Sequence, residues 1–94
     1  MGKAEYKVSG GKLIKVQLTA KENLIEKIKI MGDFFLHPEE SIESLEKELE
    51  NQVLEEQNIT SIIKAFLKRH NAILLGVSPE DFARCIIMAG ERHG

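Results

Sequence analysis

Met31-Gly-Asp-Phe-Phe-Leu-His-Pro-Glu-Glu40 separates two halves of the chain that differ in hydrophobic period. Upstream, Leu13 to Leu18 alternates, with Ile14, Val16 and Leu18 on one side and Lys15 and Gln17 on the other, as a half-buried strand does. Leu24 to Met31 alternates again, which predicts Leu24, Glu26, Ile28 and Ile30 on the core side and Lys27 and Lys29 in water. The polar stretch Thr19 to Asn23 reads as the loop between them, making an antiparallel hairpin. Downstream, the apolar spacing becomes helical. The quoted stretch is therefore where a β half meets an α half.

Within it, Pro38 is expected at the first helical position, where its missing N–H costs nothing, with Glu39 and Glu40 beside the positive helix end. Ile42, Leu45 and Leu49 then mark one buried stripe. A second helix is expected from about Asn58 to about His70, because Ile59, Ile62, Ile63, Phe66 and Leu67 share one face, and Asn71 suits a left-handed cap. A third starts at Ser78-Pro79-Glu80-Asp81, buries Phe82, Cys85, Ile86 and Ala89, and is expected to stop at Gly90, with Glu91 to Gly94 frayed. The apolar run Ala72 to Val77 is either a connector or a last strand, and Glu5 to Val8 either a first strand or a lead-in. Ser9-Gly10-Gly11 is a turn. Hairpin first and helices afterwards is an α+β arrangement with segregated layers: an antiparallel β-hairpin or small sheet followed by three helices. Residues 1–94 suffice for a single domain with a modest core.

A hydrophobic content of 43% with 30% charged residues is an ordinary globular balance and argues against disorder. A net charge of -2 gives no basis for nucleic-acid binding. Lysines nevertheless crowd the hairpin half and glutamates the region after Glu39, which reads as two solvated faces or as a basic hairpin facing an anion or an acidic partner. No stretch reaches membrane-spanning length, the start lacks a signal-like apolar run, and Tyr6 stands where an acylation motif wants Ser or Thr. A single cysteine excludes an internal disulfide and suits a reducing, cytoplasmic setting.

No phosphate loop, dinucleotide fingerprint or nucleophile elbow is present, and the histidines lack neighbours at metal-ligand spacing. Cys85 lies on an apolar stripe as a core thiol. Two features exceed simple structural roles. Asp33-Phe34-Phe35 closes a strand, so one Phe joins the core and the other faces outward as a contact anchor, unless local bending buries both. Gly10-Gly11-Lys12 offers bare backbone beside a lysine, suited either to an ordinary turn or to close approach by a partner or phosphate.

In this order, Lys7-Val-Ser-Gly-Gly-Lys-Leu-Ile-Lys-Val16, Gly32-Asp-Phe-Phe-Leu-His-Pro-Glu-Glu40, Ile42-Glu-Ser-Leu-Glu-Lys-Glu-Leu49 and Gly76-Val-Ser-Pro-Glu-Asp-Phe82 resemble the C-terminal accessory domain of lipoate–protein ligases. The similarity is greatest to the form made as a separate small chain beside a catalytic subunit, and it spans nearly the whole sequence. Ser9 departs from the pattern, which has Pro before Gly-Gly. The resemblance implies a fold similar to iron–sulfur scaffold and sulfur-acceptor proteins. It implies a non-catalytic subunit, heterodimeric with a catalytic chain and indirectly serving lipoyl-acceptor proteins. That accessory domain is needed for making lipoyl-AMP from lipoate and ATP, and much less for transfer from preformed lipoyl-AMP. It implies no cofactor held by this chain alone, with ATP, Mg and lipoate in the assembled ligase. Gly10, Gly11, Lys12, Asp33, Phe34, Phe35 and His37 are then expected at the subunit interface, with Lys12 toward phosphate. The shared fold raises a rival, a sulfur-acceptor or iron–sulfur assembly protein, which needs Cys85 exposed; a plain adapter is a third reading.

Overall fold

A computed structural model describes residues 2–91. Three antiparallel strands, β1 (Gly2–Lys7), β2 (Leu13–Lys21) and β3 (Leu24–Gly32), form a sheet in that order. A two-stranded sheet pairs β4 (Phe35–His37) with β5 (Ile73–Leu75). Helices α1 (Ser41–Leu49), α2 (Glu56–Arg69) and α3 (Pro79–Glu91) complete the chain, so the α+β expectation holds. The tail 92–94, expected to fray, lies outside the described residues.

The first strand is more than a lead-in: Gly2 to Lys7 pairs along its length with Leu18 to Leu13. Between β1 and β2, Gly10 and Gly11 adopt φ of 98° and 92°, closing the turn that the Val8 N–H ties to the Lys12 carbonyl at 2.7 Å. The β2–β3 connection is tighter than the expected Thr19–Asn23 loop. Glu22 and Asn23 both turn left-handed (φ 54° and 66°), so two residues reverse the chain and pairing resumes at Lys21 and Leu24.

Strict alternation places Leu24 and Glu26 on the core side of β3, and the structure corrects this. Thr19 faces Lys27 while Ala20 faces Ile25, so Glu26 is the extra residue of a β-bulge. The bulge turns Glu26 out and rotates Ile25 into the core, where it is fully buried. The inner face is then Ala4, Ile14, Val16, Leu18, Ile25, Ile28 and Ile30.

The helices cover that face. α3 lies across β1 and β2, α1 lies on β3, and α2 packs on α3 and α1. Leu45 and Leu49, then Ile59, Ile63 and Phe66, then Phe82, Cys85, Ile86 and Ala89 supply the helical side of the core. Each large side chain so buried contributes about 1.5–3 kcal/mol. The free edge of β3 is covered as well. The Glu46 carboxylate accepts from the Ile30 N–H at 2.7 Å, and residues 51–54 bond to Asn23 and Ile25.

Three helix ends differ from expectation. α1 starts at Ser41, not at Pro38, because β4 holds the chain extended through His37 and residues 38–41 form a separate turn, closed by the Ser41 N–H on the Pro38 carbonyl. The His37–Pro38 bond is cis. At the other end, Gly90 does not stop α3, which continues to Glu91 with the Leu54 side chain lying against the glycine. α2 opens at Glu56, two residues ahead of the expected Asn58, while Asn71 and Ser78 take the roles the sequence suggests. Glu55 caps α2 through the Asn58 N–H, Asn71 takes φ 51° after it, and Ser78 and Asp81 bond reciprocally at the start of α3.

Candidate partner interface

Gly32 ends β3 in a conformation, φ 153°, that a side chain would not tolerate. A Cβ there would collide with the Leu13 carbonyl oxygen. That carbonyl accepts from the Asp33 N–H at 2.9 Å, so the end of β3 is stitched to the start of β2. The Gly10-Gly11-Lys12 turn and the Asp33–His37 segment, distant in sequence, thereby emerge at the same end of the sheet.

Phe34 and Phe35 separate as strand geometry requires. Phe34 turns inward, half-buried, its ring edge-on to Phe82 with centroids 4.8 Å apart. Phe35 is 63% exposed. It sits opposite Leu75, as His37 sits opposite Ile73, while Leu36 and Leu74 between them face inward. The outer face of the small sheet is therefore Phe35, His37, Ile73 and Leu75. Three of the four exposed large hydrophobic side chains among the described residues lie here, Val53 being the other. Clustered exposed hydrophobic side chains of this kind are a feature of contact surfaces.

Beside this face, Phe34, Phe35 and Leu36 line a shallow groove of about 450 Å³ together with Ile30, Met31 and Ile42. Lys12 completes the end, its aliphatic stem lying across Gly76 immediately after β5, with Cγ 3.4 Å from where a Cβ would stand. Gly10 and Gly11 have open space in that direction. The structure thus gathers the sequence-expected residues at one end and adds two that the sequence did not flag, Ile73 and Leu75. An apolar triplet such as Ile73-Leu74-Leu75 reads as buried on periodicity alone. Its pairing with Phe35–His37 is what exposes two of the three.

Cys85 has a different placement. It is fully buried where α3 crosses β1 and β2, its Sγ 3.6 Å from the carbonyl oxygens of both Ala4 and Ile14. A thiol so enclosed does not serve as an exposed acceptor of sulfur. No group of three or more His, Cys, Asp or Glu among the described residues is arranged to hold a metal ion. No described helix is long and apolar enough to cross a membrane.

A family profile described as the bacterial lipoate protein ligase C-terminus matches residues 3–86. The chain belongs to that family. Among curated relatives, the lipoate-protein ligase A subunit 2 of Thermoplasma acidophilum is 42% identical over 74 residues, covering 79% of this chain and 76% of the relative. Among solved structures, a chain from an archaeal lipoylation system of Thermoplasma acidophilum is similar at TM-score 0.77 and 37% identity, over 89% of this chain and 91% of that one. That work describes a bipartite lipoate protein ligase and its E2 lipoyl domain. As a lipoate protein ligase C-terminus, the chain keeps its Gly-Gly turn, Asp33-Phe34-Phe35 and Ser78-Pro79 within the matched span. The sulfur-acceptor rival is not favoured.

Proposed function

We propose that this chain is the accessory subunit of a two-chain lipoate–protein ligase. With a catalytic subunit it supports ATP-dependent activation of lipoate to lipoyl-AMP, ahead of transfer to a lysine of an acceptor protein in the cytoplasm. The observation that carries this reading, beside family membership, is the convergence of the Gly10–Lys12 turn, Asp33 to His37 and β5 on one end of the fold, bearing the exposed Phe35, Ile73 and Leu75. Such an end is built for a protein contact, with apolar anchors at its centre and Asp33, His37 and Lys12 at its rim.

In this reading the chain has no catalytic site of its own. Its work is to close and shape a site in the larger chain, excluding water and orienting phosphates. ATP, magnesium and lipoate belong to the assembled ligase. Gly10 and Gly11 leave room for backbone or phosphate to come close, and the Lys12 ammonium is the group of this chain assigned to phosphate charge.

The test adds the purified chain to the catalytic subunit with lipoate and ATP and follows lipoyl-AMP. A rate that rises steeply with added chain and saturates at one equivalent is expected. Equally fast formation without it would remove the accessory role.

A further inference from the structure

The face of the three-stranded sheet turned away from the helices is a field of lysines. Lys3 and Lys7 of β1, Lys15 of β2, and Lys27 and Lys29 of β3 occupy its register positions, and its acids are Glu5, paired with Lys15 at 3.8 Å, and Glu26, turned out by the bulge. Cross-strand rows run Lys3–Gln17–Lys29 and Glu5–Lys15–Met31, and the next, Lys7–Leu13, reaches the Gly10–Lys12 turn. All three helices lie on the other side, so this face is uncovered.

The local charge opposes that of the molecule. Net charge is -2, yet the five lysines against Glu5 and Glu26 leave this face positive, while Glu46 of α1 and the α1–α2 connector lie along the β3 edge. Crowded like charges on neighbouring strands repel one another. A covering partner of opposite sign relieves that repulsion, and a molecule polarised in this way orients such a partner as it approaches.

We infer that the open face of β1–β2–β3 docks the lipoyl-acceptor protein, through an acidic surface on that protein. This rests on the ligase reading above. The apolar end at Phe35, Ile73 and Leu75 suits the lasting contact with the catalytic subunit. A wet, lysine-rich surface beside it suits a partner that must arrive and leave with each transfer, because rim electrostatics govern encounter more than residence. The acceptor's lysine approaches a site in the catalytic subunit, and the basic face adjoins the end where that subunit sits. The contribution is to capture at low acceptor concentration, which leaves transfer at saturation nearly independent of this chain.

The test uses the reconstituted two-chain ligase and its acceptor. Lys27→Glu with Lys29→Glu should raise the acceptor KM about tenfold near 50 mM salt, with the difference shrinking near 500 mM as screening shortens. Lipoyl-AMP formation should stay at the wild-type rate. Lys47→Glu with Lys68→Glu makes the same change in net charge on the helical side and should leave the acceptor KM unchanged. An unmoved KM in the first variant, or an equal rise in the second, overturns the inference while leaving the ligase reading intact. Loss of lipoyl-AMP formation in the first variant also overturns it, since the face would then belong to the catalytic subunit. Tight binding of a random oligonucleotide, abolished by the first variant, would overturn it in favour of a nucleic acid. A wild-type pair that makes no lipoyl-AMP defeats the ligase reading itself.

Discussion

Two adjacent phenylalanines carry opposite duties, and substitution separates them. Phe34 packs edge-on to Phe82, so Phe34→Ala should cost about 2–3 kcal/mol of folding stability, read from the shift in a urea midpoint. Phe35→Ala should leave that midpoint within about 0.5 kcal/mol and instead weaken association with the catalytic subunit by about 1–4 kcal/mol, read by titration calorimetry. If Phe35→Ala bound with unchanged affinity, the docking end would lie elsewhere. Gly32 is the stricter position, since an added Cβ meets the Leu13 carbonyl, a backbone atom that cannot turn aside. Gly32→Ala should therefore cost about 3 kcal/mol, and unchanged stability would contradict the stitched strand ends described above.

Among the elements, α3 has the most explicit start. Ser78 and Asp81 form its capping box, and the next acid, Glu80, lies 2.8 Å from the Lys64 ammonium of α2. The Lys64 bond, and then a backbone bond, hold the Glu80 carboxyl below its ordinary value of 4.5. A carboxyl depressed on folding stabilises above its unfolded pKa, and that contribution is lost as pH falls through the folded value. Lys64→Met should return the Glu80 titration, followed by carboxyl NMR, toward the ordinary range; a titration that stayed depressed would assign the shift to the helix start alone. That capping signal was legible in the sequence, as were α2 and the inward set of β2. The end of β3 near Leu24 was not, because a bulge depends on which partner residue each position meets, and alternation carries no record of an inserted residue. The start of α1 was misplaced for a related reason. Pro38 followed by two acids has the chemistry of a helix start, but pairing of β4 with β5 delays the helix to Ser41.

At the scale of the molecule, Cys85 reports on the whole core, being enclosed where α3 crosses β1 and β2. Thiol labelling of the native chain should therefore proceed only through global opening, and its free energy should match that from denaturant. Rapid labelling under native conditions would revive the sulfur-acceptor reading. The candidate interface was half legible. Gly10, Gly11, Lys12 and Asp33 to His37 carry chemistry that local structure does not use up, which is why the sequence pointed to them. Ile73 and Leu75 were hidden, since their exposure arises from a contact with residues on the other side of two helices. That same β4–β5 contact ties the surface to the folded state. Phe35, Ile73 and Leu75 share a surface only where the two short strands, separated in sequence by α1 and α2, are paired. The proposed docking end thus exists only in the folded chain, and a catalytic subunit that binds there would select folded copies over unfolded ones.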